Sequence, residues 1–164
     1  MKLLRHGAPG AEKPGLLDAS GRVRDLTGVI DDVAGAALAP ANLARLAAID
    51  PVTLPLVAEG TRLGPCVGRV GKFLAIGLNY ADHAAESGMA LPKEPVLFTK
   101  ATSCISGPTD DVIMPRGATK LDWEVELGVV IGTEARYVDV VSALDHVAGY
   151  CVVNDVSERA FQAE

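Results

Sequence analysis

The feature that limits this chain most is the shortness of its apolar runs. Phe73-Leu74-Ala75-Ile76-Gly77-Leu78 is continuous, yet Asn79 follows at once. Such a run suits a strand buried on both faces. Val96-Leu97-Phe98-Thr99-Lys100 reads as another strand, after the loop marked by Pro92 and Pro95. Asp122 to Ile131 and Val147 to Val153 read as two more, the last ending at Asn154-Asp155. The helices between them are short. Asn79 is a good N-cap with Asp82 at its partner's position, Tyr80 to Ser87 makes two turns, and Gly88 stops them. Ser142–Asp145 opens one further short helix, and another starts near Ser157. Gly107-Pro108-Thr109-Asp110 is a turn. The pattern predicts a mostly β fold with short helices, of the α+β class.

Residues 1–67 read as a small N-terminal α+β domain, and 68–164 as the start of a second. Lys2–Arg5 is a short strand. Gly15-Leu16-Leu17 and Arg22-Val23-Arg24-Asp25-Leu26 flank the turn Asp18-Ala19-Ser20-Gly21, which predicts a hairpin. Alternation sets Val23 with Asp25 and Arg22 with Arg24, so the inner face of the second strand stays open. Pro40 to Ile49 is a helix with Leu43, Leu46 and Ala47 on one face. Pro51 and Pro55 break it off, and Pro65 to Val70 is a connector.

Bulk properties exclude several classes. With 49% apolar residues the chain can fill a core. A net charge of −6, with no Lys/Arg cluster, argues against nucleic acid. No apolar run approaches the roughly 20 residues that span a bilayer, and no signal peptide opens the chain. The cytoplasm is the expected location. Cys66, Cys104 and Cys151 lie beside apolar residues without metal-site spacing, so each is expected as a buried, reduced thiol.

Four constellations could carry chemistry. In Trp123-Glu124-Val125-Glu126-Leu127, alternation puts Glu124 and Glu126 on one strand face, Cα atoms roughly 6.5 Å apart. Val125 and Leu127 then face apolar packing. Two neighbouring carboxylates repel unless a cation intervenes, which makes Mg²⁺, Mn²⁺ or Ca²⁺ the candidates. Asp155, just past an apolar strand, is a candidate third carboxylate. His83 and Glu86 are three apart on a helix, where a carboxylate can fix the imidazole tautomer for water activation. Arg159 and Gln162 share that spacing and suit a substrate carboxylate and carbonyl. The bland alternatives are solvated strand and helix faces. No phosphate loop, dinucleotide fingerprint or serine elbow is present.

In order and spacing, "AIGLNYADHAAESGM", "EPVLFTKATSCISGP", "LDWEVELGVVIG" and "VAGYCVVNDVSERAFQ" resemble the fumarylacetoacetate hydrolase superfamily. The first sixty-odd residues resemble the small N-terminal domain of a bacterial subgroup. Its members are described as ureidoglycolate lyase-like proteins and as hydrolases of acylpyruvates or 2,4-diketo-3-deoxy sugar acids. The resemblance implies a mixed β-roll catalytic domain, incomplete here, and a homodimer. It makes Glu124, Glu126 and Asp155 ligands of Mg²⁺ or Mn²⁺, and His83 and Glu86 the water-activating dyad. Arg159 and Gln162 hold substrate oxygens, with Lys100 near the site. The implied reaction is C–C cleavage of a 1,3-dicarbonyl acid to a 2-oxoacid and a carboxylic acid. Decarboxylation, keto–enol isomerisation and ureidoglycolate cleavage are alternatives on the same site. Such families continue beyond this point with the strands that close the roll. A second expectation is therefore an inactive, poorly stable fragment with a folding or assembly role.

Overall fold

A computed structural model describes residues 1–86 and 88–162. The chain forms two compact units, Met1–Gly68 with Gly107–Glu164, and Arg69–Ser106. The architecture is mixed α and β, with short helices and small open sheets, as the patterning predicts.

In the first unit β1 (Leu3–His6), β2 (Lys13–Leu17) and β3 (Val23–Asp25) form an antiparallel meander. The predicted hairpin is present, with Leu17 opposite Val23 and Gly15 opposite Asp25. Gly21 takes a φ of +80°, a conformation that costs a side-chain-bearing residue free energy. The open question of β3's inner face is answered by charge. Arg24 is the buried residue, and its Nε donates to Asp18 Oδ2 at 2.8 Å. Asp18 also accepts from the Ser20 hydroxyl and from the amides of Ser20 and Arg22. These bonds, the Ser20 hydroxyl's first, hold its carboxyl well below the usual range despite burial.

Helix α1 (Pro40–Ala47) starts on a proline, whose missing N–H would have been unpaired there anyway. It lays Leu46 on Leu16 and Leu26, and these three form the hydrophobic core. Leu43 is half-buried, but Ala47, expected on the inner face, is exposed. Arg62 ties the expected turn at 107–110 to this domain. Its guanidinium binds Asp110, Glu12 at 3.1 Å and the Gly7 carbonyl at 3.0 Å.

The rest of the unit holds two small pairs. β7 (Val125–Ile131) and β8 (Val147–Asn154) form an antiparallel ribbon with a register irregularity at Val130/Ile131. β6 (Leu121–Asp122) pairs with β9 (Ser157–Glu158), and α3 (Arg159–Gln162) follows. The predicted strand from Asp122 to Ile131 is thus two strands, parted at Trp123-Glu124. A 3₁₀ helix, Val140–His146, stands where a short helix was expected at Ser142–Asp145.

In the second unit β4 (Phe73–Gly77) pairs with β5 (Val96–Lys100), and α2 (Ala81–Glu86) lies between them in sequence. Three burial expectations need correction. Leu74 and Ile76 of β4 are exposed, because a two-stranded sheet covers only one face. Val125 and Leu127 are exposed for the same reason. Cys104 is exposed, and Cys66 and Cys151 are half-buried. No helix among the described residues is long and apolar enough to cross a membrane.

Candidate active site

The β7–β8 ribbon carries the carboxylates. Glu126 lies in β7 and Glu124 immediately precedes it. Both are half-buried and on one face, as alternation requires. Val125 pairs with Asn154, so Asp155 arrives beside Glu124. The Asp155 amide donates to the Glu124 carbonyl at 2.8 Å, and the Glu124 amide to Asn154 Oδ1 at 3.1 Å. The backbone therefore brings Glu124, Glu126 and Asp155 to one end of one ribbon. Among the described residues, no three His, Cys, Asp or Glu side chains close into a metal-binding group. The donor chemistry, three carboxylates, fits a hard divalent ion.

Arg159 is joined to this group. Its Nη1 lies 2.7 Å from Glu124 Oε1 and its Nε donates to Asp122 Oδ2 at 3.0 Å. Nη1 also donates to Gln162 Oε1 at 2.9 Å, so the predicted i,i+3 pair is formed. Partial burial pulls the guanidinium's pKa down, but the bond to Asp122 and the charges of Glu124 and Asp122 outweigh it, and the net shift is upward. Arg159 is cationic at any working pH.

Three participants were missed in the sequence. Asp122 anchors Arg159, Asn154 pins the Glu124 backbone, and Glu158 ties the strand ends together. The Glu158 carboxylate caps α3 through the Phe161 amide at 2.9 Å and accepts from the amides of Thr119 and Lys120. These bonds, Phe161's first, lower its pKa. A signal for Asp122 was present, since Asp122, Glu124 and Glu126 continue one alternation.

The remaining candidates belong to the second unit. His83 and Glu86 lie on α2, and both are exposed. No hydrogen bond joins their side chains among the described residues. Lys100 ends β5 and is half-buried. The turn into α2 is strained, with Leu78 at a φ of +50°. It borders an open cavity of about 250 Å³, lined by Ile76, Leu78, Asn79, Lys93, Glu94 and Pro95 among others.

Residues 72–164 match the model of the family described as Fumarylacetoacetate (FAA) hydrolase C-terminal. The chain belongs to the fumarylacetoacetate hydrolase family. A Burkholderia ambifaria protein named "Putative hydrolase" is 66% identical over the whole chain. A fumarylacetoacetate hydrolase from psychrophilic Exiguobacterium antarcticum is 34% identical over 99% of the chain, with a TM-score of 0.75. A 5-carboxymethyl-2-hydroxymuconate delta-isomerase from Mycobacterium smegmatis is 25% identical over 99%, with a TM-score of 0.67. The chain spans 58%, 58% and 57% of these three proteins. The open sheets are consistent with part of the family's β-roll, preceded by a small α+β subdomain.

Proposed function

We propose that the protein is a metal-dependent hydrolase of acylpyruvate-type 1,3-dicarbonyl acids, releasing a pyruvate-like 2-oxoacid and a carboxylic acid. The observation that carries this reading is the gathering of Glu124, Glu126 and Asp155 at one ribbon end, with Arg159 2.7 Å from Glu124. Such an oxygen-only set suits Mg²⁺, with Mn²⁺ or Ca²⁺ as substitutes. A bound ion would supply Lewis-acid polarisation of the keto oxygen and stabilise enolate charge. Arg159 presents the fork that binds a substrate carboxylate, and Gln162 adds a carboxamide for a carbonyl oxygen. His83 takes the proton of the attacking water, with Glu86 one helical turn away to orient the ring. Lys100 adds positive charge for the substrate. The enzyme is proposed to act as a homodimer in the cytoplasm.

A second reading, decarboxylation or isomerisation, uses the carboxylate group without activating water. The exposure of both His83 and Glu86 on α2 favours it.

The test follows acetylpyruvate by its enol absorbance and pyruvate by a coupled assay, with Mg²⁺ binding measured by calorimetry. Glu126→Gln should weaken Mg²⁺ binding and lower kcat/KM by about 100-fold or more. His83→Ala should abolish hydrolysis while Mg²⁺ still binds. Hydrolysis at the normal rate in His83→Ala would sink the dyad's role, whereas Mg²⁺ binding with no hydrolysis by the unaltered protein would leave the second reading.

A further inference from the structure

Arg159 meets the candidate site with its donors engaged. Its Nε and Nη2 each lie 3.0 Å from Asp122 Oδ2, and its Nη1 lies 2.7 Å from Glu124 Oε1 and 2.9 Å from Gln162 Oε1. Asp122 thus clasps one edge of the guanidinium, while Glu124 and Gln162 share the remaining nitrogen. The backbone beneath is pinned. The Arg159 amide donates to the Lys120 carbonyl at 2.9 Å, and Glu158 pairs with Leu121 across β6 and β9. Any change of partner is therefore left to the side chain. The Glu124 side chain is 21% exposed against 47% for Asp122, so solvent screens the Glu124 contact less. A divalent ion on Glu124 would share that carboxylate with Arg159, and like charges brought so close repel. A substrate carboxylate, for its part, cannot bond Nη1 while Glu124 and Gln162 occupy its two N–H groups.

We propose that Arg159 competes with a divalent cation for Glu124, and that giving up Glu124 is what frees Nη1 for a substrate carboxylate. The inference rests on the metal-dependent reading above and adds to it a coupling between the two ligands. Asp122 keeps Nε and Nη2 while Nη1 changes partner, so the guanidinium stays beside the site throughout. Whatever draws Nη1 away from Glu124 lowers the competition for that carboxylate. Cation and substrate carboxylate therefore strengthen each other's binding, by the same factor in both directions. Arg159 has two tasks in this scheme: it balances the charge of Glu124, and it grips the substrate once Glu124 is taken.

The test is calorimetric titration of the full chain and of its Arg159→Gln and Arg159→Lys variants, first with Mg²⁺ alone and then with pyruvate at saturating Mg²⁺. In Arg159→Gln the two ligands should move in opposite directions. Mg²⁺ should bind about 3- to 10-fold more tightly and pyruvate about 10-fold more weakly. Damage to the fold only weakens binding, so a gain in Mg²⁺ affinity is specific to the lost competitor. Arg159→Lys keeps the charge but cannot serve Asp122 and Glu124 with one fork, and should tighten Mg²⁺ by a smaller factor. Mg²⁺ binding no tighter in either variant, or pyruvate binding unchanged in Arg159→Gln, would overturn the proposal while the metal reading stands. No Mg²⁺ binding by any of the three proteins would overturn the metal reading and this proposal with it.

Discussion

The β1–β3 sheet and the β7–β8 ribbon are both antiparallel and both alternate, yet only the first closes a core. In the first, Leu16, Leu26 and Leu46 are at most 2% exposed, because α1 lays a second layer on the strands. On the ribbon, Val125, Leu127, Val129, Tyr150 and Val152 share an exposed face, and Val152 is 81% exposed. Alternation tells a strand which side seeks a partner layer. It does not say that the same stretch of chain supplies it. The ribbon's opposite face is half-covered and holds the carboxylates, so the candidate site lies on the better-packed side.

Large-to-small substitutions should separate the two regions most strongly. Leu26→Ala should cost about 2–5 kcal/mol in urea unfolding, through lost burial and a residual cavity. Val152→Ala should stay within about 0.5 kcal/mol, since its side chain already meets water. Similar losses at both positions would break the comparison, and would mean that another copy of the chain covers the ribbon in solution. Measuring the two variants at several concentrations decides between these outcomes.

Acid should act on the first compact unit next. The carboxyls of Asp18 and Asp110 lie below their ordinary range, held there by the Ser20 hydroxyl and by Arg62 respectively. A depressed folded pKa means that the unfolded chain takes up these protons first. The stability they add is complete above the ordinary carboxylate range and is lost as pH falls through it and below. Unfolding midpoints should therefore be flat on this account from neutral pH to about pH 5, then fall below about pH 4. Asp18→Asn should be less stable at neutral pH and lose part of that acid slope. An unchanged slope would show that the Asp18–Arg24 pair is not linked to folding.

The sequence disclosed the order of elements well, because caps, turns and alternation are local. Gly21, Gly88 and Pro40 stand where the chain turns, stops or starts a helix. The Glu124/Glu126 face was equally local. What stayed hidden was long-range. Nothing near Arg24 announces that a charged residue would be the buried one in β3, since its partner Asp18 is fixed by the hairpin's register. The burial of β4 and of Val125 and Leu127 was misread because a pattern of apolar residues cannot count the layers above it. Asn154 escaped because its role is to hold another residue's backbone.

That role gives the finest comparison. Asn154 Oδ1 accepts the Glu124 amide at the exposed mouth of the ribbon. A single bond of this kind contributes about 0.5–1.5 kcal/mol at most, and less where water can replace it. Asn154→Ala should therefore leave the global unfolding midpoint nearly unchanged while hydrogen exchange at the Glu124 amide speeds up by about 2- to 10-fold. The core amide of Leu16, in the closed sheet, should exchange as before. Equal acceleration at both amides would mean that the ribbon end and the N-terminal core open together. Acceleration at Glu124 alone would show that the candidate site sits on a locally opening end of a stable unit, where ligand binding can tighten it.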